Sequence, residues 1–343
     1  MGKTSFLSVI PRAEGIAEYP AALQNILFWS DRAGLDGVLI FNGAGTVVDP
    51  WAVAVAAAAT TSTVVPLVAL NPVYQHPYLA ARLVASVGLM YGRRVDLNLV
   101  TGAATGELAA LGDGLDHDSR YRRLAEFTDI MLNLLASPRP YSFKGEFYHL
   151  DRLQITPALP HDLLPRLYVA GQSASRLEVM RRFGALSLQM LPPPGQPPSA
   201  SPAGALNFGV ITRPDKREAV EAARAAFPVD AVGSKLMSDA MSNTDSTWKR
   251  NLFQAAEGDL IAAEVDGGSS SSYWLHPFRS GQADCPYLVG AYTDVADRLA
   301  HFTGQGVRTF IIDLPPQEKE FIHLTELLAI TRDRFSEIDR GSR

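Results

Sequence analysis

One cysteine, Cys285, is present among the 343 residues of this sequence. A single thiol excludes an intramolecular disulfide and a CxxC metal site, and such a residue is more typical of a small buried hydrophobe than of a nucleophile. The sequence also lacks HxH and HExxH metal spacings, the GxSxG nucleophile elbow and the GxGxxG dinucleotide fingerprint. No thiol, zinc, serine-hydrolase or Rossmann motif is therefore available to explain its function.

Neither sign of charge is in large excess, since 31 lysines and arginines stand against 36 aspartates and glutamates, for a formal net charge of −5. A nucleic-acid partner is not expected, because it would require a basic face. The apolar stretch at 52–70 is interrupted by threonines, a serine and a proline, so it predicts a helix and a strand rather than a membrane span. The start lacks the pattern of a signal peptide. The expectation is a cytoplasmic protein without a membrane partner.

What the sequence does contain is a regular alternation of strand-like and helical runs. The strand-like runs are short, continuous and rich in branched residues, as is typical of strands covered on both faces. They lie at 5–10, 37–41, 63–70, 94–100, 165–171, 185–191, 205–212 and 306–313. Eight strands in this arrangement predict an α/β fold, a (β/α)8 TIM barrel formed by a single domain over 1–343.

Three segments depart from the simple repeat. Residues 141–155 alternate around Lys144-Gly145, which predicts a hairpin. The proline-rich segment 192–204 cannot form a helix, so the outer helix between the sixth and seventh strands is expected to be missing, with an extended segment or a partner subunit in its place. Residues 228–305 form a long insertion before the eighth strand, and the glycine- and serine-rich part at 266–287 is expected to be a mobile loop. The expected assembly is a homodimer or homotetramer.

The active site of a TIM barrel lies at the C-terminal ends of its strands. Here those ends carry mainly amides, hydroxyls and glycines, which suits a cofactor that brings its own chemistry. The fifth strand ends in VAGQSASRLEVM, where a glycine and small polar residues open a helix. Backbone N–H groups at 171–174, together with Ser173, would make an anion site suited to a phosphate. The alternative is that Ser173 only caps the helix.

Several motifs occur in a fixed order: DGVL, DPW, LVAL, NLVTG, ELAALGDGLDHDSRYRRLAEF and LYVAGQS. As an ordered set they resemble the bacterial luciferase-like flavin-dependent monooxygenases, and most closely the alkanesulfonate monooxygenase branch, over roughly residues 5–335. The resemblance implies a luciferase-like TIM barrel that receives reduced FMN (FMNH2) from a separate NAD(P)H:flavin reductase. It further implies a two-component monooxygenase in which O2 reacts with the flavin, and the resulting peroxyflavin oxygenates the substrate.

The resemblance also implies a flavin site. It places Asn98 and Thr101 beside the flavin ring, the Tyr121 hydroxyl at the ribityl-phosphate tail, and the phosphate at 171–173. The implied cofactor-binding residues are Asp49, Ala69, Asn98, Thr101, Tyr121, Gly171, Gln172, Ser173 and Ala174. Two of them have simpler alternatives, because Tyr121 could be an aromatic packed on the barrel rim and Asp49 a plain helix cap.

This sequence departs from the alkanesulfonate branch where that branch binds its sulfonate. The corresponding positions are Val47 (or Val48), Asn207, Gly209, Arg279 and Pro315, of which only Arg279 keeps the charge. Losing a bidentate arginine and a histidine removes most of the positive charge that a sulfonate needs. Desulfonation is therefore disfavoured. The sequence predicts a larger or less charged substrate, such as a natural-product intermediate, either a small molecule or carrier-bound, that contacts Val47, Asn207, Gly209 and Arg279.

Three residues are candidates for proton transfer, and each has an alternative. His76 follows the third strand, but it could be an exposed loop histidine. His117 lies in DHDSRY, where it could organise the loop by bonding to nearby carboxylates. Arg279 could be a solvated charge in the insertion.

Two other functions remain open on the sequence alone. The first is a deazaflavin-dependent oxidoreductase on the same barrel, which would transfer hydride without O2. The second is a non-catalytic flavin-binding barrel that has lost its active residues.

Overall fold

A computed structural model describes residues 3–12, 16–43, 46, 48–102, 104–171, 173–194, 204–244, 246–255 and 272–341. The chain forms two compact units, of which one combines Met1–Asp36 with Leu188–Arg343 and the other comprises Gly37–Ser187. The single domain over 1–343 stays a prediction. No helix within the described ranges has an apolar stretch long enough to cross a bilayer.

The strands of the described residues are β1 Ser5–Val9, β2 Gly37–Ile40, β3 Val65–Leu70, β4 Asp96–Leu99, β5 Tyr141–Lys144, β6 His149–Leu153, β7 Leu167–Ala170, β8 Leu186–Met190, β9 Ala205–Arg213, β10 Ser272–Trp274, β11 Tyr287–Ala291 and β12 Thr309–Asp313. In the unit that contains both termini, β12 pairs in parallel with β1, and β9 pairs in parallel with β8 and with β12. In the other unit, β2, β3, β4 and β7 pair in parallel in that order. The predicted (β/α)8 TIM barrel is confirmed, and all eight predicted strands correspond to these.

The helices of the described residues are α1 Tyr19–Arg32, α2 Pro50–Thr60, α3 Pro77–Tyr91, α4 Thr105–Ala110, α5 His117–Ala136, α6 Ala174–Phe183, α7 Lys216–Ala226, α8 Ala231–Ser242, α9 Thr247–Gln254, α10 His276–Arg279, α11 Tyr292–Gly304 and α12 Glu318–Gly341, with a 3-10 turn at His161–Leu163. Local sequence explains several of their ends. Proline occupies the first turn of α2 and of α3, where its missing N–H costs nothing. Gly184 ends α6 at a φ of 61°, a conformation that glycine adopts without steric cost.

Within the unit Gly37–Ser187, the strands β2, β3, β4 and β7 lie side by side in that order. Every residue of β2 and β4 is buried, which accounts for their uninterrupted apolar pattern. The predicted hairpin is confirmed as β5 and β6, but its turn lies over 145–148 because Lys144 still pairs with His149. This turn is held by the Glu126 carboxylate, which accepts hydrogen bonds from the backbone N–H groups of Glu146, Phe147 and Tyr148 at 2.6, 2.9 and 3.2 Å.

In the other unit, β9 pairs with different neighbouring strands along its length. The first part of β9 pairs in parallel with β12, and its second part pairs in parallel with β11. All nine residues of β9 are buried. The turning point is Gly209, which is in register with Asp313 of β12 and with Tyr287 of β11. Three side-chain positions from distant parts of the sequence are thereby aligned across neighbouring strands.

The insertion 228–305 has more regular structure than expected. Its described residues form α8, α9, α10, α11 and the strands β10 and β11. The interpretation of 266–287 as a loop is wrong for Ser272–Trp274 and His276–Arg279, because apolar side chains there, among them Trp274 and Phe278, are buried in the core. The predicted loss of the helix between the sixth and seventh strands concerns residues 195–203, which lie outside the described residues.

Candidate active site

The turn after β7 has the geometry of an anion site. Gly171 follows the strand with a φ of 107°, a conformation that an L side chain rarely adopts. Ser173 caps α6, and its hydroxyl accepts a hydrogen bond from the N–H of Arg176 at 3.3 Å. The first N–H groups of a helix have no partner within the helix and carry partial positive charge. This turn therefore presents donors suited to a phosphate.

Tyr121 from α5 lies against the same turn. Its buried hydroxyl makes hydrogen bonds with the side chains of Ser173 and Thr101 and donates to the Ala170 carbonyl at 3.5 Å. A Cβ at Gly171 would lie 3.2 Å from this hydroxyl oxygen, so a side chain there would crowd the contact. Burial raises the pKa of Tyr121 above its ordinary value, and the hydrogen bonds with Ser173 and Thr101 oppose that rise. The hydroxyl is consequently a neutral donor at the turn.

Arg176 is a residue of this site that sequence reasoning missed. It is 2% exposed, and its guanidinium donates to the Val169 carbonyl at 3.4 Å and to the Ser187 hydroxyl. Burial lowers its pKa, and Tyr121 opposes that change. A buried guanidinium in the first turn of α6 adds positive potential where an anion would bind. Its position three residues after the capping serine, in SASR, is the signal that could have found it.

The ends of β3 and β4 provide a second part of the predicted flavin site. Asn98 of β4 is in register with Ala69 of β3, and it is 6% exposed. Among the described residues its side-chain oxygen Oδ1 has no hydrogen-bond partner. An unpaired buried acceptor is costly, so this oxygen is suited to accept a hydrogen bond from a bound ligand. Gly102, with a φ of 77°, follows closely, and a Cβ there would lie 3.1 Å from the Asn71 amide nitrogen.

Asp49, His76 and His117 each make local contacts that do not require a catalytic or cofactor-binding role. Asp49 caps α2, since its carboxylate accepts from the Trp51 N–H at 2.8 Å. His76 caps α3, because its Nδ1 accepts from the Tyr78 N–H at 3.2 Å, and burial lowers its pKa. His117 is bonded to Asp118 at 2.9 Å and packs on the Tyr121 ring. Their catalytic and cofactor roles stay predictions.

Of the predicted substrate residues, Val47 lies outside the described residues, as does Gln172 of the flavin site. Asn207 on β9 is 6% exposed, and within the described part of the chain its Oδ1 has no hydrogen-bond partner. Arg279 donates to the carbonyls of Phe253 and Ala255 at the end of α9. Its guanidinium is thus held by the protein, which differs from the solvated charge considered as its alternative.

Gly209 has a structural role that the sequence did not indicate. A Cβ at this position would overlap the Tyr287 ring, which lies over the glycine and is almost fully buried. The Tyr287 hydroxyl donates to Oδ2 of Asp313 at 2.9 Å, and the Cys285 thiol lies 3.9 Å from the same oxygen. Cys285 is buried, as its isolation in the sequence suggested, and burial raises its pKa well above the ordinary value.

Asp313 is the other residue that sequence reasoning missed. It ends β12, the eighth strand of the barrel, so the general rule of active sites at strand ends could have selected it. Burial raises the pKa of Asp313 to about 6, and the hydrogen bond from Tyr287 opposes the rise. Arg12, the nearby cation, pairs with Asp284 at 2.9 Å instead. A carboxylate at a strand end that titrates near neutral pH is typical of functional sites.

The protein is a TIM barrel with a helix N-terminus after its fifth strand that is suited to an anion. The model of the luciferase-like monooxygenase family matches residues 11–196. The chain is 33% identical over 307 residues to 4-(γ-L-glutamylamino)butanoyl-[BtrI acyl-carrier protein] monooxygenase BtrO of Niallia circulans, covering 87% of each protein. The chain belongs to the luciferase-like monooxygenase family, as the ordered motifs predicted.

Solved structures share the fold at low sequence identity. EDTA monooxygenase (EmoA) from Chelativorans sp. BNC1 superposes with a TM-score of 0.71 at 17% identity, over 97% of this chain and 94% of that one. An F420-dependent secondary alcohol dehydrogenase superposes with a TM-score of 0.66 at 18% identity, over 96% of this chain and 100% of that one. Since the fold carries both monooxygenases and F420-dependent dehydrogenases, the fold alone does not select the cofactor.

Proposed function

We propose that this protein is the oxygenating component of a two-component monooxygenase that uses FMNH2 and O2. The proposal rests on membership of the luciferase-like family together with one observation, the shared hydrogen bonds of Tyr121, Thr101 and Ser173 beside the buried Arg176. The reductase that supplies FMNH2 is a separate NAD(P)H-dependent enzyme, because the sequence has no GxGxxG fingerprint for a dinucleotide.

The residues present fit a flavin mononucleotide. The backbone N–H groups at the start of α6, with Ser173 and Tyr121, would hold its phosphate. Oδ1 of Asn98, which has no partner in the described part of the chain, would accept a hydrogen bond from an N–H of the ring system. A bound flavin would supply the two electrons that let one atom of O2 enter the substrate while the other leaves as water. The protein's own groups would bind and orient the cofactor.

The substrate class we propose is an acyl chain carried as a thioester on a carrier protein. The relative from Niallia circulans acts on an acyl group bound to an acyl-carrier protein, and identity to it extends over most of this chain. The second candidate, a deazaflavin-dependent oxidoreductase, is supported by the fold shared with the F420-dependent dehydrogenase. Cofactor titration separates the two, and it also identifies a barrel that binds flavin without turnover.

Turnover is expected to require O2 and free reduced FMN together. With an NADPH:flavin reductase, FMN and an acyl-pantetheine thioester, oxygen from 18O2 should enter the acyl group, as followed by mass spectrometry. NADPH without the reductase should give no product. Anaerobic titration should show tighter binding of reduced FMN than of reduced deazaflavin. Direct oxidation of NADPH, or product formed anaerobically with deazaflavin, would contradict the proposal. Binding of FMN without oxygenation of any thioester would favour the non-catalytic barrel.

Short alkanesulfonates are expected to be poor substrates. Asn207 and Gly209 provide no positive charge, and the guanidinium of Arg279 is already bound to two carbonyls. An anion placed in such a site would lack the paired cation that offsets its loss of hydration. The measurement is sulfite release from pentanesulfonate with saturating reduced FMN. Release at rates ordinary for enzymes, on the order of 1 s⁻¹ or more, would contradict this expectation.

A further inference from the structure

Side-chain contacts identify the two faces of β9 and β12. Phe208 of β9 packs on Phe310 of β12, which stacks on Phe335 of the outer helix α12. Side chains of a strand alternate between its two faces. Asn207 and Asp313 have the opposite parity to these phenylalanines, so they lie on the face directed away from α12. Asn207 is in register with Ile311, two residues before Asp313 on the same face.

Two side chains on this face carry oxygen acceptors that no cation pairs with among the described residues. Oδ1 of Asn207 is buried and has no hydrogen-bond partner within the described residues. The Asp313 carboxylate is half-buried and has no ion-pair partner among the described residues, since Arg12 is paired with Asp284. A desolvated carboxylate without an ion-pair partner is unfavourable. Burial raises the pKa of Asp313, and the Tyr287 hydrogen bond and the charge of Arg12 oppose that rise.

The structure holds the Asp313 carboxylate in place. Tyr287 binds only Oδ2, and its ring reaches Asp313 by lying across Gly209, where any side chain would collide with it. The row Tyr287, Gly209, Asp313 runs across three neighbouring strands in register. The buried Tyr287 ring and the glycine beneath it thus fix the orientation of one carboxylate. Such support of a polar group at a strand end is typical of a binding residue.

We infer that Asp313 and Asn207 form a subsite that binds a cationic ammonium group at the end of the substrate's acyl chain. An ammonium has three donors and no acceptor, so it matches a carboxylate and an amide oxygen. It would give the Asp313 carboxylate a direct ion-pair partner, since Arg12 pairs with Asp284. This subsite selects against an anionic chain end, which would meet a carboxylate. The inference rests on the proposed function, because that function determines the choice of thioester probes.

The test is a binding experiment with the apoprotein and three pantetheine thioesters of equal length. They carry 6-aminohexanoyl, hexanoyl and adipoyl groups, whose ends are cationic, neutral and anionic. By isothermal titration calorimetry at pH 7.5, the wild type should bind the ammonium-ended thioester about tenfold or more tightly than the anionic one, the scale of one charged hydrogen bond. Asp313→Asn should reduce this ratio to about one. Asp297→Asn removes an equal charge from the exposed pair with Arg334 and should keep the preference.

The pH dependence provides a readout that a structural role would not affect. The groups facing Asp313 are the Tyr287 hydroxyl, the Cys285 thiol, Arg12 and Asp284, and the pKa of its carboxyl is about 6. The carboxylate is present above that pH and protonated below it. Affinity for the ammonium-ended thioester should therefore fall as the pH drops through about 6, and Asp313→Asn should abolish this dependence. The affinity for the hexanoyl thioester should stay constant in both proteins.

Failure of this inference can be told from failure of the proposed function. The assay contains neither flavin nor O2, and n-hexylamine serves as a fourth probe without a thioester. Binding of n-hexylamine that depends on Asp313, without binding of the thioesters, would support the subsite and contradict the carrier-bound substrate. A wild type without preference for the cation, a preference that persists in Asp313→Asn, or the absence of binding by all four probes would overturn the subsite.

Discussion

Adding a single methyl group at Gly209 is expected to lower the free energy of unfolding by about 1–3 kcal/mol, the usual cost of overpacking a core. The Cβ of Gly209→Ala would overlap the ring of Tyr287. That ring has little room to move, because it is buried among Trp274, Val289 and the residues of α7 and its hydroxyl is bonded to Asp313. Urea denaturation followed by circular dichroism measures the change.

A matched control is Gly106→Ala. Gly106 lies in α4, and a Cβ there would meet nothing within 4 Å, so alanine should be neutral or slightly stabilising. The Tyr287→Leu background supplies a second check, because a shorter side chain leaves space above residue 209. In that background the added methyl should cost clearly less than in the wild type, as a double-mutant cycle would report. An equal cost in both backgrounds would show that the collision with Tyr287 is not the cause.

Removing two hydroxyls at the turn after β7 is expected to weaken binding of reduced FMN by about 1–3 kcal/mol, or roughly 5- to 150-fold in Kd. The variant is Tyr121→Phe combined with Ser173→Ala. Both hydroxyls belong to one hydrogen-bonded group with Thr101, beside the first N–H groups of α6. Loss of donors to a doubly charged phosphate is costly because charged hydrogen bonds are the strong ones. Anaerobic fluorescence titration measures the affinity.

Ser175→Ala is the control for this variant. Ser175 is in the same turn of α6, but its hydroxyl bonds to the exposed Asp118 at 2.6 Å, so its loss should leave FMN affinity within about twofold, a few tenths of a kcal/mol. Circular dichroism and thermal unfolding should confirm that both variants fold. If the double variant bound reduced FMN with wild-type affinity, the assignment of the phosphate to this turn would be wrong. Equal weakening by Ser175→Ala would point to a general perturbation of the helix instead.

Much of the barrel could be predicted because its local patterns are strong. The strands are covered on both faces, which makes their apolar runs continuous, and the helices begin at caps such as Asp49 and Ser173 that are visible in the sequence. The strand β11 was missed. Its five residues follow a glycine- and serine-rich stretch, and a short apolar run cannot be assigned from its pattern alone. Its pairing with β9 and with β10 makes it a strand.

The candidate site also contains residues that the sequence predicted and residues that it did not. The turn at Gly171 and Ser173 could be predicted because a strand, a glycine and a capping serine are adjacent in sequence. Arg176 was missed, because its place in SASR shows only that it lies in the first turn of the helix, and nothing local shows that its side chain folds back under the turn to reach the carbonyl of Val169. Arg279 was expected in a loop, but burial of Phe278 in the same short helix holds it against the end of α9.

The sequence by itself determined the alternation of strands and helices, the family and the glycine–serine turn after β7, because each of these depends on residues that are close together along the chain. Only the tertiary structure decided which polar groups meet. Tyr121 reaches Thr101 and Ser173 through helix packing, and Tyr287 reaches Asp313 across Gly209 through the register of β11, β9 and β12. Register between strands depends on the burial of whole faces and on long-range pairing, and a local pattern carries no record of either.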